Sequence, residues 1–213
     1  MQTPADSTTC SFTGSSFPIE EIGCVIMASG MGLRFGGNKL MADFHGEPMI
    51  MRILAATEGL FARRVVVTRH EDIASICRTG GIPVILHTLP DRSDTVRLGL
   101  EAVGDVQGGL FCPSDQPLLR RETISALATA AVSDTQSIWR PVCGGTPSSP
   151  VLFPRWAFDE LMHLPAGMGG GDVVRKHPDR VRTFSVSDPR ELMDADDPET
   201  LEILLQADKQ LRI

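Results

Sequence analysis

The stretch Ile22-Gly23-Cys24-Val25-Ile26-Met27-Ala28-Ser29-Gly30-Met31-Gly32-Leu33-Arg34-Phe35-Gly36-Gly37-Asn38-Lys39 carries most of the information about the fold. Ile22 to Met27 is a short apolar run ending at a glycine-rich loop, the pattern of a buried strand. Glycines let backbone approach a ligand closely, and positive φ costs them little. Successive N–H groups in such a loop can cradle phosphate oxygens. Arg34 would add a planar cationic fork and Lys39 a compact point charge.

Working outward, apolar runs alternate with amphipathic ones. Met49 to Leu60 has helical spacing, with Ile50, Ile53, Leu54 and Thr57 on one side. Arg64 to Thr68 reads as a strand, His70 to Arg78 as a helix closed by Gly80 and Gly81, and Ile82 to Leu86 as a strand. Ser93 is placed as the N-cap of a helix carrying Val96, Leu100 and Val103. Gly109 to Cys112 is a strand cut off by Pro113. Ile124, Leu127, Ala128 and Ala131 mark another helix. Ile138 to Val142, Val151 to Phe153 and Val181 to Val186 are extended; Ala157 to Leu164 and Pro198 to Leu205 are helical, with Pro198 tolerated in a first turn. This alternation predicts an α/β fold with a mostly parallel sheet covered by helices on both faces. Ligands in such folds bind beyond the carboxyl ends of the strands, which directs attention to the loops after Met27 and after Cys112.

The 213 residues suit one substantial core. Residues 1–20 are expected to be a mobile Ser/Thr-rich tail and 21–213 a single domain. Hydrophobic residues make up 42% and charged residues 22%, ordinary values for a soluble globular protein. A net charge of −7 argues against nucleic-acid binding by bulk electrostatics, so positive charge for phosphates must be gathered locally. The five cysteines, Cys10, Cys24, Cys77, Cys112 and Cys143, form no C-x-x-C pair, which disfavours structural zinc. No apolar run approaches the roughly 18 residues of a membrane span, and the first residues lack the layout of a secretory signal. Cytoplasmic placement is the expectation.

Two familiar phosphate motifs do not fit. The dinucleotide fingerprint G-x-G-x-x-G fails because Phe35 stands at its sixth position, counted from Gly30. The P-loop fails because Asn38 separates Gly37 from Lys39 and Leu40 follows. A second candidate site is Leu110-Phe111-Cys112-Pro113-Ser114-Asp115-Gln116-Pro117, where Asp115 follows a central strand. A carboxylate there can hold Mg²⁺ beside a triphosphate, or can simply cap a turn.

The first loop resembles the signature G-x-G-x-R-[FM]-G-x-x-K of nucleotidyltransferases with a glycosyltransferase-A type fold, which implies a Rossmann-like three-layer sandwich with a mostly parallel mixed sheet. The longer stretch GMGLRFGGNKLMADFHGEPMI is similar to the molybdenum cofactor nucleotidyltransferases, and within them to the cytidylyltransferases. Ser114-Asp115-Gln116-Pro117 resembles that family's G-D-[QM]-P element, with serine in place of glycine, and the resemblance makes Asp115 a metal ligand. Ser93 to Leu100 resembles a segment that places Thr95 against the nucleotide; an ordinary capped helix is the other reading. Gly144 to Phe153 resembles G-x-x-G-H-P-V-L-F, but Ser149 replaces the histidine. Gly167 to Asp172 matches a G-D-x-G-[AG]-R loop out of register, so Asp172 is given no role. Asp194-Ala195-Asp196-Asp197-Pro198-Glu199 resembles a D-[IV]-D-T-P-E element. Either Asp196 or Asp194 could supply a second metal contact there, while Asp197 could cap the last helix. The histidines His45, His70, His87, His163 and His177 form no nucleophile–base constellation.

The resemblance implies an Mg²⁺-dependent cytidylyltransferase. CTP would lie over Ala28, Ser29, Gly30, Met31 and Gly32 with Thr95 in contact; Arg34 and Lys39 would hold its phosphates. Asp115 and Asp196 would hold the metal. The implied acceptor is molybdopterin carrying molybdenum, with a molybdoenzyme or its chaperone as a further partner. GTP in place of CTP, a sugar-phosphate acceptor, and a non-catalytic nucleotide-binding accessory protein remain open alternatives. Met27-Ala28-Ser29-Gly30 matches neither the cytidylyltransferase L-A-A-G nor the guanylyltransferase L-A-G-G.

Overall fold

The computed structural model describes residues 19–211. All but the last two residues of the expected tail lie outside that range.

Among the described residues, β1 (Ile22–Ala28) runs through the middle of an eight-stranded sheet. It pairs in parallel with β2 (Arg63–Thr68) on one side and β4 (Gly108–Pro113) on the other, and β3 (Val84–Leu86) extends the parallel set beyond β2. β7 (Val151–Pro154) joins β4 antiparallel, followed by β5 (Ile138–Cys143) and the short β6 (Thr146–Pro147). β8 (Val181–Ser185) lies parallel to β5. The sheet is therefore mixed but mostly parallel.

Strand periodicity sorts the side chains into two cores. Ile22, Cys24, Ile26 and Ala28 of β1 join Val66 of β2 and Leu110 and Cys112 of β4 in one. Val25, Val65, Val67 and Phe111 point into the other. Successive side chains of a strand face opposite ways, so both faces of the sheet are covered. The first core is closed by α1 (Ile50–Ala56), α2 (Glu71–Thr79), α4 (Arg121–Ser133) and α7 (Pro198–Leu211). The second is closed by α3 (Arg92–Val103), α5 (Phe158–Met162) and α6 (Gly170–Lys176). This is the three-layer sandwich expected. Gly99 brings α3 onto β1: a Cβ there would collide with the Val25 side chain.

Several local expectations change. The helix expected over Met49 to Leu60 ends at Ala56; Gly59 follows with φ 63°, a conformation that cannot continue a right-handed helix. Ser93 lies inside α3, and Asp91 is its N-cap, with Asp94 Oδ2 accepting from the Asp91 N–H at 3.2 Å. Asp can cap as Ser does, and composition alone could not choose between them. The loop assigned to Gly167 to Asp172 opens a helix instead, with Asp172 accepting from the Gly169 N–H at 2.8 Å. Asp197 accepts from the Thr200 N–H at 2.8 Å at the start of α7, the capping role allowed for it. The helix expected over Ala157 to Leu164 is a 3-10 turn, Arg155–Ala157, followed by α5.

Candidate active site

The carboxyl ends of β1, β2 and β4 open on a cavity of about 490 Å³. Ser29, Gly30, Lys39, Thr95 and Asp115 line it, together with Arg69, Arg92, Ser149 and Asp194. Ala28, Met31, Gly32, Arg34 and Asp196 do not. Ala28 is fully buried in β1. The Met31 side chain is exposed, and the Arg34 guanidinium stands in solvent 4.0 Å from Asp196 Oδ2.

The glycine loop places Lys39 by a specific backbone route. Gly32 has φ 57°, and a Cβ on it would sit 2.5 Å from Gly37 O and 3.2 Å from Lys39 N. The loop therefore folds back on itself only with glycine at this position. Asn38 then caps the turn Lys39–Met41 by accepting from the Leu40 N–H at 3.2 Å. Its amide nitrogen reaches Asp72 on α2 at 2.9 Å, anchoring the turn from outside.

Lys39 meets the acidic residues at this point. Its Nζ is 2.6 Å from Asp115 Oδ2 and 3.0 Å from Asp196 Oδ1, with the lysine side chain only 10% exposed. Burial alone would lower its pKa; the charges and hydrogen bonds of Asp115 and Asp196 outweigh it and hold the lysine above its usual range. Asp194 faces the other way in energy. Desolvation first, then the negative charges of Asp115 and Asp196, push its pKa up to about 6, while the residue keeps an open side toward solvent.

The acidic residues come from two distant segments joined by backbone and side-chain bonds. Ser114 donates from Oγ to Met27 O at 2.7 Å, fixing the end of β4 to the end of β1. The Ala195 N–H donates to Asp115 O at 2.8 Å, and Gln116 Nε2 donates to Leu192 O at 3.1 Å and to Asp194 Oδ1 at 2.9 Å. The serine departures at 29 and 114 are thus structural fasteners. Ser29 Oγ bonds Val67 O at 3.1 Å and His87 Nε2 at 2.9 Å. Ser149 precedes a cis bond to Pro150 and lines the cavity.

Sequence reasoning passed over Arg69, Arg92 and His87. Arg69 follows β2 directly, at the carboxyl end where ligands gather, so the strand-end rule could have found it. Arg92 opens α3 on the cavity wall. His87 is buried: its N–H donates to Thr68 O at 3.0 Å and its Nε2 meets Ser29 Oγ, bridging the ends of β1 and β3 past β2.

Among the described residues, no group of three or more His, Cys, Asp or Glu side chains is arranged to hold a metal ion. Mg²⁺ does not require such a cage: it is commonly held by one or two carboxylates plus substrate phosphates and waters. Asp115, with Asp194 or Asp196, fits that donor set.

A glycine loop thus leads to a buried lysine that contacts a strand-end aspartate at the wall of a strand-end cavity. Residues 24–181 match the MobA-like NTP transferase domain. The chain belongs to that family. The matched residues make up most of the chain and include the glycine loop, Lys39 and Asp115. It is also similar to 3-deoxy-manno-octulosonate cytidylyltransferase of Neisseria meningitidis, 34% identical over 107 residues, covering 45% of this chain and 40% of that protein. The same enzyme of Chlorobium phaeovibrioides is 37% identical over 90 residues, covering 40% of this chain and 36% of that protein. The matched part therefore spans well under half the length of these relatives. Among solved structures, Rv0371c from Mycobacterium tuberculosis superposes with a TM-score of 0.78 at 20% identity, covering 88% of this chain and 98% of the other. A nucleotidyl transferase from Methanothermobacter thermautotroptrophicus gives 0.76 at 16% identity, covering 90% and 99%. These confirm the fold. No helix among the described residues is long and apolar enough to cross a membrane.

Proposed function

We propose that this MobA-like domain transfers CMP from CTP to a phosphorylated acceptor of the molybdopterin type, with Mg²⁺ and with release of pyrophosphate, in the cytoplasm. The observation that carries the reading is Lys39 Nζ lying 2.6 Å from Asp115 Oδ2 at the wall of the glycine-loop cavity. A triphosphate needs both charges there: a cation for its oxygens and a carboxylate for its metal.

In this reading Ser29 and Gly30 present backbone to the phosphates, and Thr95 and Arg69 border the nucleotide. Lys39 turns from the carboxylates to the phosphate oxygens, and Arg34 approaches from the rim. Asp115, with Asp194 or Asp196, would hold Mg²⁺, which would neutralise charge growing on the α-phosphoryl group. An acceptor phosphate oxygen attacks the α-phosphorus in line; the new O–P bond forms as the bond to the leaving pyrophosphate breaks. A phosphate is already ionised near neutral pH, so no general base is needed, and catalysis rests on positioning and charge stabilisation. A molybdoenzyme or its chaperone would take the product.

The similarity to 3-deoxy-manno-octulosonate cytidylyltransferases supports CTP and favours a second reading, in which the acceptor is a sugar acid of that kind. The test is pyrophosphate release with Mg²⁺, each of the four common ribonucleoside triphosphates, and either molybdopterin or 3-deoxy-manno-octulosonate. Release with CTP and molybdopterin supports the first reading, and release with CTP and the sugar acid supports the second. Release with GTP keeps the chemistry and changes the product. Nucleotide binding without release from any pair would overturn both.

A further inference from the structure

The loop after β1 is held from one side by an unusual density of polar side chains. Thr68 Oγ1 donates to Ala28 O at 2.8 Å. Arg69 donates from Nε and Nη2 to Ser29 O at 3.1 and 3.0 Å. His70 Nε2 donates to Gly30 O at 2.8 Å. With three successive carbonyls engaged, the turn offers a ligand its N–H groups rather than its lone pairs, the polarity that a triphosphate requires.

Ser29 adds a fourth attachment, and its geometry fixes the state of a buried histidine. Its hydroxyl has one proton, which it gives to Val67 O at 3.1 Å. The 2.9 Å contact with His87 must then be a bond that His87 donates from Nε2. With the proton on Nε2, the neutral ring leaves Nδ1 as a buried acceptor without a hydrogen-bond partner among the described residues. An unmet buried acceptor costs stability, and an apolar side chain at 87 would avoid it. The histidine thus keeps a position where packing alone does not favour it. Burial, then the charge of Arg69, lowers its pKa and supports the neutral form, with Asp94 opposing and Arg97 assisting.

We propose that His87 is a positioning residue for the nucleoside triphosphate: through its hydrogen bond to Ser29 Oγ it holds the Ala28–Gly30 turn in the shape that receives the phosphates. The inference deepens the nucleotide reading above and rests on it. His87 touches no reacting atom; it acts through Ser29.

The test is calorimetric titration of the full chain with CTP and Mg²⁺, which needs no acceptor. His87→Ala and Ser29→Ala are each expected to weaken CTP binding about tenfold, and the double variant no further than Ser29→Ala, which already removes the shared bond together with that to Val67 O. His87→Gln, whose amide can still donate, is expected to recover most of the loss. In turnover with any accepted substrate, KM for the nucleotide should rise while kcat changes less. Wild-type affinity in Ser29→Ala and His87→Ala, or losses that multiply in the double variant, would overturn the proposal; should His87→Ala not fold, Ser29→Ala and His87→Gln decide it alone. If the wild-type chain binds none of the four nucleotides, the nucleotide reading falls and takes this inference with it. If it binds and the variants bind equally, only this inference falls.

Discussion

Gln116 donates from Nε2 to Asp194 Oδ1 at 2.9 Å and from the same nitrogen to Leu192 O at 3.1 Å. One buried amide therefore ties the strand-end loop that carries Asp115 to the acidic segment near the C-terminus, a separation of 78 positions in sequence. The bond also favours the ionised form of Asp194, against the desolvation and the neighbouring carboxylates that raise its pKa.

Replacing that amide tests how much the metal reading depends on it. Gln116→Met keeps the volume and removes both donated bonds. Outer partners of metal ligands typically contribute about 10–100-fold in metal affinity. Apparent Mg²⁺ affinity, titrated in the presence of CTP, should fall within that range, while CTP binding without metal changes little. An unaltered Mg²⁺ dependence would exclude Asp194 from the metal's surroundings.

Asp115→Asn separates the two roles proposed for this residue, holding the metal and pairing with Lys39. With Mg²⁺ present, turnover should fall by at least about a hundredfold, because metal and α-phosphoryl charge lose their carboxylate. With metal removed by chelation, the sign reverses. A negative charge facing the triphosphate is gone and Lys39 has lost its 2.6 Å partner, so CTP should bind at least as tightly as to wild type. Weaker binding under both conditions would show that Asp115 only supports the loop.

Gly32 lends itself to a stability test. An alanine there must hold φ 57°, at a cost of roughly 1–2 kcal/mol for a left-handed L-residue. Its Cβ would also press on Gly37 O at 2.5 Å. Urea unfolding of Gly32→Ala should show a loss of at least that size, and CTP binding should weaken because Lys39 is displaced. A stable Gly32→Ala protein with full affinity would mean that the loop has another route to the same geometry.

The parts legible in the sequence are those governed by local pattern. The buried strand before Ala28, the parallel alternation around it, and the attraction of Lys39 and Asp115 to one end of the sheet all follow from apolar runs and from the strand-end rule. The contacts between distant segments were not legible. Nothing in the spacing of Asp194 and Asp196 says which one faces the cavity; the Gln116 bond and the backbone bond from Ala195 to Asp115 decide that, and both depend on tertiary packing. Asp91 and Ser93 both make good caps, and only the chain's path from β3 into α3 selects Asp91. His87 carried no sequence signal at all, since a lone histidine after a short strand is ordinary; its meaning comes from Ser29, 58 positions away.

The buried His87 also sets a pH dependence whose sign can be worked out. Burial and Arg69 hold its pKa below the ordinary 6.5, which the unfolded chain retains. Above that value the ring is neutral in both states, and the full stability is present. As pH falls below 6.5 the unfolded chain takes up a proton while the folded chain does not, so stability is lost. The loss continues down to the folded-state pKa and then levels off. His87→Gln has no such group, so its unfolding free energy should fall less between pH 7.5 and pH 5.5 than that of wild type, whatever the offset between the two at neutral pH. Urea unfolding at about five pH values across that interval measures the difference. Parallel curves would mean that His87 is already as easily protonated folded as unfolded, and that the neutral tautomer donating to Ser29 is not the state in which the loop is held.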